Sequence, residues 1–267
     1  MLITGNGKAG SWKVRGEQLG GAIGARYVPF GAKLPEGLVI VVKRTEPFLL
    51  AQLKRRPWVY DIVDAWPQPS SMDRDKAIAW LQGHLAQLKP TAVVFPTTQM
   101  LTDSEWTGPA LVLPHHAWPK YQPREPQSVV TRVGYEGDPR YLGKWGDLVQ
   151  AECAKRRWQF TVGDLSECDI GIALRDAGGY PAQAWKSNCK LANLQALGIP
   201  ALCSPEAGYR EFGSGHERWI ESPADLAHAF GAFAHVGPRS RLHDGMIRSA
   251  PRLHDIATRY RDWLTSL

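Results

Sequence analysis

Three stretches of this 267-residue chain carry residue types at spacings that could do chemistry. The first is Gly5-Asn6-Gly7-Lys8-Ala9-Gly10, a GxGxxG run directly after an apolar segment. Glycines so spaced let a helix N-terminus approach a pyrophosphate, and Lys8, Lys13 and Arg15 would add cations there. A plain turn uses the same residues. No acid stands about 20 positions on, where a ribose-binding carboxylate belongs, and no Gly-Lys-Ser/Thr follows. Anion binding near Gly7, Gly10, Lys13 and Arg15 is the expectation, and an NAD(P)-type oxidoreductase is the rival reading of the same loop. The second stretch is residues 184–212, where a helix predicted over 186–197 carries Lys186 and Lys190, ends at Gly198 and leads through Pro200 into a strand. Four apart, the two lysines would share one helical face. Two ammonium groups at a helix N-terminus suit a diphosphate; the plain alternative is a pair of solvated surface lysines.

The third stretch is Tyr60-Asp61-Ile62-Val63-Asp64-Ala65-Trp66 at the carboxyl end of a predicted strand, the end at which open α/β sheets bind ligands. Asp61 and Asp64 point to opposite faces of an extended chain, so one of them could serve an acceptor hydroxyl as general base or orienting group. Asp64 is preferred as nearer the strand end, against the alternative of a helix-cap or turn carboxylate. His115 and His116 close the last strand of the first half. Adjacent imidazoles diverge and no third ligand has suitable spacing, so no metal is expected. His116 could bond a phosphate or sugar hydroxyl, or serve only as a core histidine.

Short Val/Ile-rich runs bounded by Gly or Pro alternate with helical stretches, which predicts an α/β fold of parallel sheets with flanking helices. Strands are expected at 2–4, 26–28, 38–42, 59–63, 92–95, 111–113, 129–134, 159–162, 169–174, 200–204 and 219–221. Residues 117–127 hold three prolines and no periodicity, so the domain boundary is placed there, giving lobes of 1–120 and 121–267. Apolar residues from Ile247 to Leu264 recur at the helical period and predict one terminal helix that packs back over a lobe.

Lys and Arg number 32 against 26 Asp and Glu, a net +6 that favours an anionic partner. Trp12, Trp58, Trp145 and Trp158 follow or precede basic residues, a pattern that suits stacking on bases along a phosphate backbone, although tryptophan also fills cores. Four cysteines without a CxxC pair indicate neither a zinc site nor a disulfide framework. No apolar run nears the roughly 20 residues that span a bilayer, and no signal peptide is visible, so a cytoplasmic protein is expected.

Ala196-Leu197-Gly198-Ile199-Pro200, followed by Ser204-Pro205-Glu206-Ala207-Gly208-Tyr209-Arg210-Glu211, resembles the donor segment of GT-B glycosyltransferases, in particular the large retaining family that uses nucleotide sugars. Val133-Gly134 is similar to the turn that opens the donor lobe, Asp169-Ile170-Gly171-Ile172 to the strand before the donor loop, and Leu113-Pro114-His115-His116 to the end of the acceptor lobe. The last helix is similar to the family's crossing helix, so the resemblance covers most of the chain. It implies two Rossmann-like lobes, an acceptor-side lobe and then a nucleotide-sugar donor lobe, and hexosyl or pentosyl transfer from a UDP-sugar or similar donor with no further cofactor. Lys190 would hold the diphosphate with Lys186 and Arg175 behind it, Gly208 would shape the turn, and Glu206 or Glu211 would accept from the ribose hydroxyls. Two departures stand out. The family's two glutamates fall on Trp185 and Asn193, and Tyr135-Glu136-Gly137-Asp138 replaces its Arg and Lys after the first donor strand, with Arg140 and Lys144 nearby. A non-catalytic nucleotide- or nucleic-acid-binding module is therefore a third reading. Minimal lobes with a basic, Trp-rich surface are similar to phage enzymes that glycosylate hydroxymethylated bases, which implies duplex DNA as an acceptor and a phage protein made in a host cytoplasm.

Overall fold

The computed structural model describes residues 1–64, 71–176 and 178–267. The chain divides into two compact units, Met1–His115 with Gly178–Ser187 and Arg252–Leu267, and His116–Ala177 with Asn188–Pro251.

The first unit is built on six parallel strands, β1 Leu2–Gly5, β2 Arg26–Tyr27, β3 Val39–Val42, β4 Trp58–Asp61, β5 Ala92–Phe95 and β6 Ala110–Val112, in the order β2-β1-β3-β4-β5-β6. The runs Val39–Val42 and Ala92–Phe95 are apolar at every position because both sheet faces are covered. On one face Val41, Tyr60 and Phe95 pack on Ala77, Leu81 and Leu85, spaced by one helical repeat along the Arg74–Leu88 helix. Asp73 caps that helix by accepting from the Lys76 backbone N–H at 3.0 Å. On the other face Ile3, Ile40 and Val59 meet Trp12, Leu19 and, from the last helix, Ile256, Tyr260 and Leu264.

The segment Gly178–Ser187 is fastened to this unit by Asp103, whose Oδ2 accepts from Tyr180 Oη and Trp185 Nε1, both at 2.8 Å. Trp185 is fully buried, so its indole N–H depends on that carboxylate. Asp103→Ala should cost about 1–3 kcal/mol, the penalty of a buried donor without an acceptor, and urea denaturation with the midpoint compared to wild type checks it.

The second unit has five parallel strands, β7 Arg132–Tyr135, β8 Gln159–Val162, β9 Ile170–Ala173, β10 Ala201–Cys203 and β11 Arg218–Trp219, in the order β11-β10-β9-β7-β8. The helices Lys144–Lys155, Cys189–Leu197, Pro223–Phe233 and Val236–Ser249 complete it. Its core joins Val133, Ile170, Ile172, Leu202, Leu191 and Phe230.

Three features depart from the expected organisation. The chain passes between units at His115/His116 rather than 120, and the proline-rich stretch belongs to the second unit: Tyr121 is buried, and the Trp118 backbone N–H donates to Asn193 Oδ1 at 2.8 Å. The terminal helical pattern is two helices, Val236–Ser249 and Leu253–Thr265. Pro251 has no N–H and disfavours the helical region for its predecessor, and Ala250 accordingly turns to ψ 121°. The second of these helices lies in the first unit, not with the downstream lobe. Finally, the helix expected from 186 begins at Cys189, with a separate Tyr180–Ala184 helix before it, so Lys186 is not on the same helical face as Lys190.

Candidate functional site

In the second unit β7, β9 and β10 run parallel, and the residues just past their carboxyl ends are Glu136-Gly137, Leu174-Arg175 and Ser204-Pro205-Glu206. Lys190 is the second residue of the Cys189–Leu197 helix, and its Nζ stands 5.2 Å from the centroid of the Tyr135 ring. Gly137 completes the cradle. Its φ of +145° lies in the region that favours glycine, and a Cβ there would come within 3.2 Å of both Lys190 Cε and Tyr135 Oη. Burial pushes the Tyr135 phenol up to about 12, so it is a neutral hydroxyl, donating to the Asp138 carbonyl at 3.4 Å.

Arg175 Nε donates to Glu206 Oε1 at 3.0 Å, its backbone N–H donates to Ser204 Oγ at 2.9 Å, and its guanidinium lies 5.9 Å from the Tyr141 ring. Burial alone would make the guanidinium easier to deprotonate, but the Glu206 carboxylate more than reverses this and holds its pKa above the ordinary value. Arg175 is thus a fixed cation. Glu206 is committed through Oε1 to that ion pair, which alters its expected role toward a ribose. Gly208 is buried in the short Ala207–Glu211 helix, and Glu211 is exposed at its end.

Positions 193 and 185, where the resemblance would place glutamates, are occupied for physical reasons. Asn193 is buried; its Oδ1 accepts from Trp118, and its Nδ2 donates to Glu136 Oε2, while Tyr121 Oη donates to Glu136 Oε1 at 2.8 Å. A glutamate at 193 would bring a second carboxylate against Glu136 and lose the donor. Trp185 lies in the other unit, with its N–H on Asp103.

In the first unit Asp64 follows β4 and Lys43 follows β3. Asp64 forms ion pairs with Lys43 and with Lys186, the latter at 3.1 Å, and each of the three side chains is at most 16% exposed. Lys43 and Val63 both adopt left-handed backbone, φ 64° and 65°, which is costly for non-glycine residues and worst for a β-branched one. Burial raises the Asp64 pKa, but Lys186 and Lys43 overcome that and hold it below the usual value. Asp64 is therefore ionised at neutral pH and a weak proton acceptor. Ala65 and Trp66 lie outside the described residues.

Arg15 and Asp61 leave the candidate set. Both are buried; Arg15 Nη2 donates to the Leu113 carbonyl at 2.6 Å, and its Nε stands 3.8 Å from Asp61 Oδ2. Arg15 is thus closed to a ligand at the Gly5–Gly10 loop, and Asp61 to an acceptor at the end of β4. In that loop Lys8 is exposed, as is Lys13 in the helical segment just after it, a Cβ at Gly7 or Gly10 would meet nothing within 4 Å, and Gly5 is required instead by the Trp12 ring, 2.7 Å from where its Cβ would stand. His115 and His116 are buried, and fall in the first and second unit respectively. Trp12, Trp58 and Trp145 are buried, and Trp158 lies between the Arg156 guanidinium, 5.6 Å away, and Phe230, so these tryptophans do not form a base-stacking surface.

Tyr135 and Gly137 were not singled out from the sequence. Their one signal is a glycine two residues past a strand end, which only the packing of Lys190 makes specific.

Two parallel-sheet α/β units with flanking helices, the last helix returning to the first unit, make up the GT-B fold. The chain is similar in structure to AviGT4, a glycosyltransferase involved in avilamycin A biosynthesis, with a TM-score of 0.59 at 9% identity over 100% of this chain and 98% of that one. It is also similar to a chain of the GtfA/B complex, with a TM-score of 0.59 at 9% identity over 85% of this chain and 57% of that one. For TarM the values are 0.54, 9%, 85% and 54%, so the chain spans just over half the length of these two. At such identities the likeness is one of fold. No protein-family model and no curated protein matches the chain. Among the described residues no helix is long and apolar enough to cross a membrane.

Proposed function

We propose that the chain is a glycosyltransferase that moves a sugar from a nucleotide-sugar donor, a UDP-sugar first among candidates, to an acceptor hydroxyl. The observation that carries this is the cradle of Lys190, Tyr135 and Gly137 at the carboxyl edge of the second sheet, with Arg175 past the neighbouring strand. The donor diphosphate lies against Lys190, with the first-turn N–H groups of the Cys189–Leu197 helix beside it. As the glycosidic bond to the sugar breaks, negative charge grows on the leaving diphosphate, and pre-placed cations neutralise it without reorganisation. That GT-B structures such as AviGT4 are glycosyltransferases supports the reading. A melting-temperature screen against UDP-, GDP-, ADP- and CMP-sugars tests it: a ligand at a hundred times its dissociation constant stabilises by about 2.7 kcal/mol. No shift with any of them, or a shift with NAD(P) alone, would dismiss it.

Gly137→Val gives a local check. A β-branched side chain at φ +145° costs about 1–3 kcal/mol of strain and crowds Lys190, so affinity for the donor should fall about tenfold, a loss of ~1.4 kcal/mol, as measured by calorimetric titration.

The acceptor is assigned to the first unit, where Asp64, held by Lys43 and Lys186, orients the hydroxyl. Duplex DNA bearing hydroxymethylated bases rests on the net charge of +6 alone, since the tryptophans adjoining basic residues serve the core. Transfer to small acceptors but none to such DNA would remove it.

A further inference from the structure

The carboxyl edge of the first sheet gathers more positive charge around Asp64 than a neutral hydroxyl requires. Val42 ends β3 and Asp61 ends β4, level with each other in the parallel register. Just beyond them the two chains turn in the same way. The Arg44 N–H donates to the Val42 carbonyl at 2.7 Å around Lys43 at φ 64°, and the Asp64 N–H donates to the Ile62 carbonyl at 2.7 Å around Val63 at φ 65°. A three-residue turn closed around a positive φ is the rare, strained form of the γ-turn. Such strain persists where the surroundings fix it, and Tyr60, buried in β4, donates its hydroxyl to the Lys43 carbonyl at 2.8 Å. The paired turns bring the Lys43 ammonium to the Asp64 carboxylate, and Lys186 meets the same carboxylate at 3.1 Å. Arg44 adds a third cation to the β3 turn. The next acid along, Glu46, stands against Gly31, its Oε1 3.3 Å from where a Cβ there would be.

The sheet order β2-β1-β3-β4 reverses between β1 and β3, and open α/β sheets bind ligands outside the strand carboxyl ends at such a point. Lys43, Asp64 and Lys186 are each at most 16% exposed, so a head group that protrudes from a small molecule reaches them and the flush backbone of a nucleic-acid duplex does not. A neutral alcohol would leave the surplus cations without a counter-charge. A phosphate monoester, close to a dianion at neutral pH, supplies it.

We infer that the acceptor is a small phosphate ester, a sugar or polyol phosphate, with its phosphate on Lys43, Lys186 and Arg44 and its hydroxyl at Asp64. The word acceptor rests on the sugar transfer proposed above; binding of the phosphate ester does not.

Calorimetric titration of the full chain with sn-glycerol 3-phosphate, beside glycerol, tests this without any donor present. Glycerol 3-phosphate should bind at least about tenfold more tightly, since hydrogen bonds between charged partners are the stronger ones. Lys43→Gln with Lys186→Gln should weaken it by at least about tenfold. Asp64→Asn removes a negative charge and keeps the shape, and it should tighten binding several-fold, the opposite sign to a loss of structure. Equal affinity for glycerol and its phosphate would overturn the inference, as would wild-type affinity in the lysine double variant or weaker binding in Asp64→Asn. Binding of unmodified duplex DNA that the double variant loses, with no binding of glycerol 3-phosphate, would also overturn it, since the occupant would then be a polyanionic backbone. Phosphate-ester binding that follows the expected pattern, in a chain that gives no melting shift with any nucleotide sugar, would uphold the site and dismiss sugar transfer.

Discussion

Lys190→Ala should lose most of the stabilisation that a nucleotide sugar gives the wild-type chain. A charge-assisted hydrogen bond contributes about 1.5–3 kcal/mol, so removing the ammonium raises the dissociation constant about 30-fold for a loss of ~2 kcal/mol. At the ligand concentration that stabilises wild type by about 2.7 kcal/mol, the variant should then gain under about 1 kcal/mol. Lys190 also covers the Tyr135 ring, so loss of packing has to be separated from loss of charge. Tyr135→Phe keeps the ring and removes only a hydroxyl that bonds the Asp138 carbonyl, and it should keep donor binding within a few-fold. Thermal melts of both variants with and without the UDP-sugar give the comparison; equal shifts in Lys190→Ala and wild type would remove Lys190 from the site.

Arg15→Met should be the most destabilising single change in the first unit. It leaves Asp61, 1% exposed, without the guanidinium beside it, and stranding one partner of a buried ion pair costs about 3–5 kcal/mol. The sign of its pH dependence follows from the same geometry. Burial already raises the Asp61 pKa, and Arg15 is the chief group opposing that rise. Without Arg15 the folded-state pKa climbs further above the unfolded value, so the folded chain prefers the protonated acid. A carboxyl raised on folding destabilises progressively as pH rises above the unfolded pKa of about 3.9 and stops doing so below it. The loss should therefore be largest near pH 7 and shrink toward pH 4, as denaturation midpoints at the two values will show. A loss that is constant or grows on acidification would mean that the Arg15 side chain matters for its packing, not for its charge.

Where the chain's own local rules decide the outcome, the elements were legible. Ala92–Phe95 and Gln159–Val162 lie where short β-branched runs between breakers predict strands, and the Arg74–Leu88 helix starts at the Asp73 cap and ends just before Lys89 in left-handed geometry. Asp64 at a strand end was found for the same reason, because the position of a residue relative to its strand is a local property. What could not be read are the pairings between distant segments. Lys186 and Lys190 have the spacing of one helical face, yet Asp103 draws Tyr180 and Trp185 into the first unit and the helix starts only at Cys189. Arg15 is close to the Gly5–Gly10 loop in sequence, but its side chain is spent on Leu113 and Asp61, 98 and 46 positions away. The tryptophans beside basic residues look like a nucleic-acid surface until burial is known, since alternation with lysine and arginine fits a helix with an apolar face equally well.

On the proposed function the nucleotide diphosphate is held by the second unit at Lys190 and not by the glycine loop of the first. Hydrogen–deuterium exchange of the chain with and without a saturating UDP-sugar measures this directly. Slowed exchange at residues 134–137 and in the first turn of the Cys189–Leu197 helix, with residues 5–10 unchanged, is the expected result. Protection at residues 5–10 with no change at 134–137 or 189–192 would contradict it.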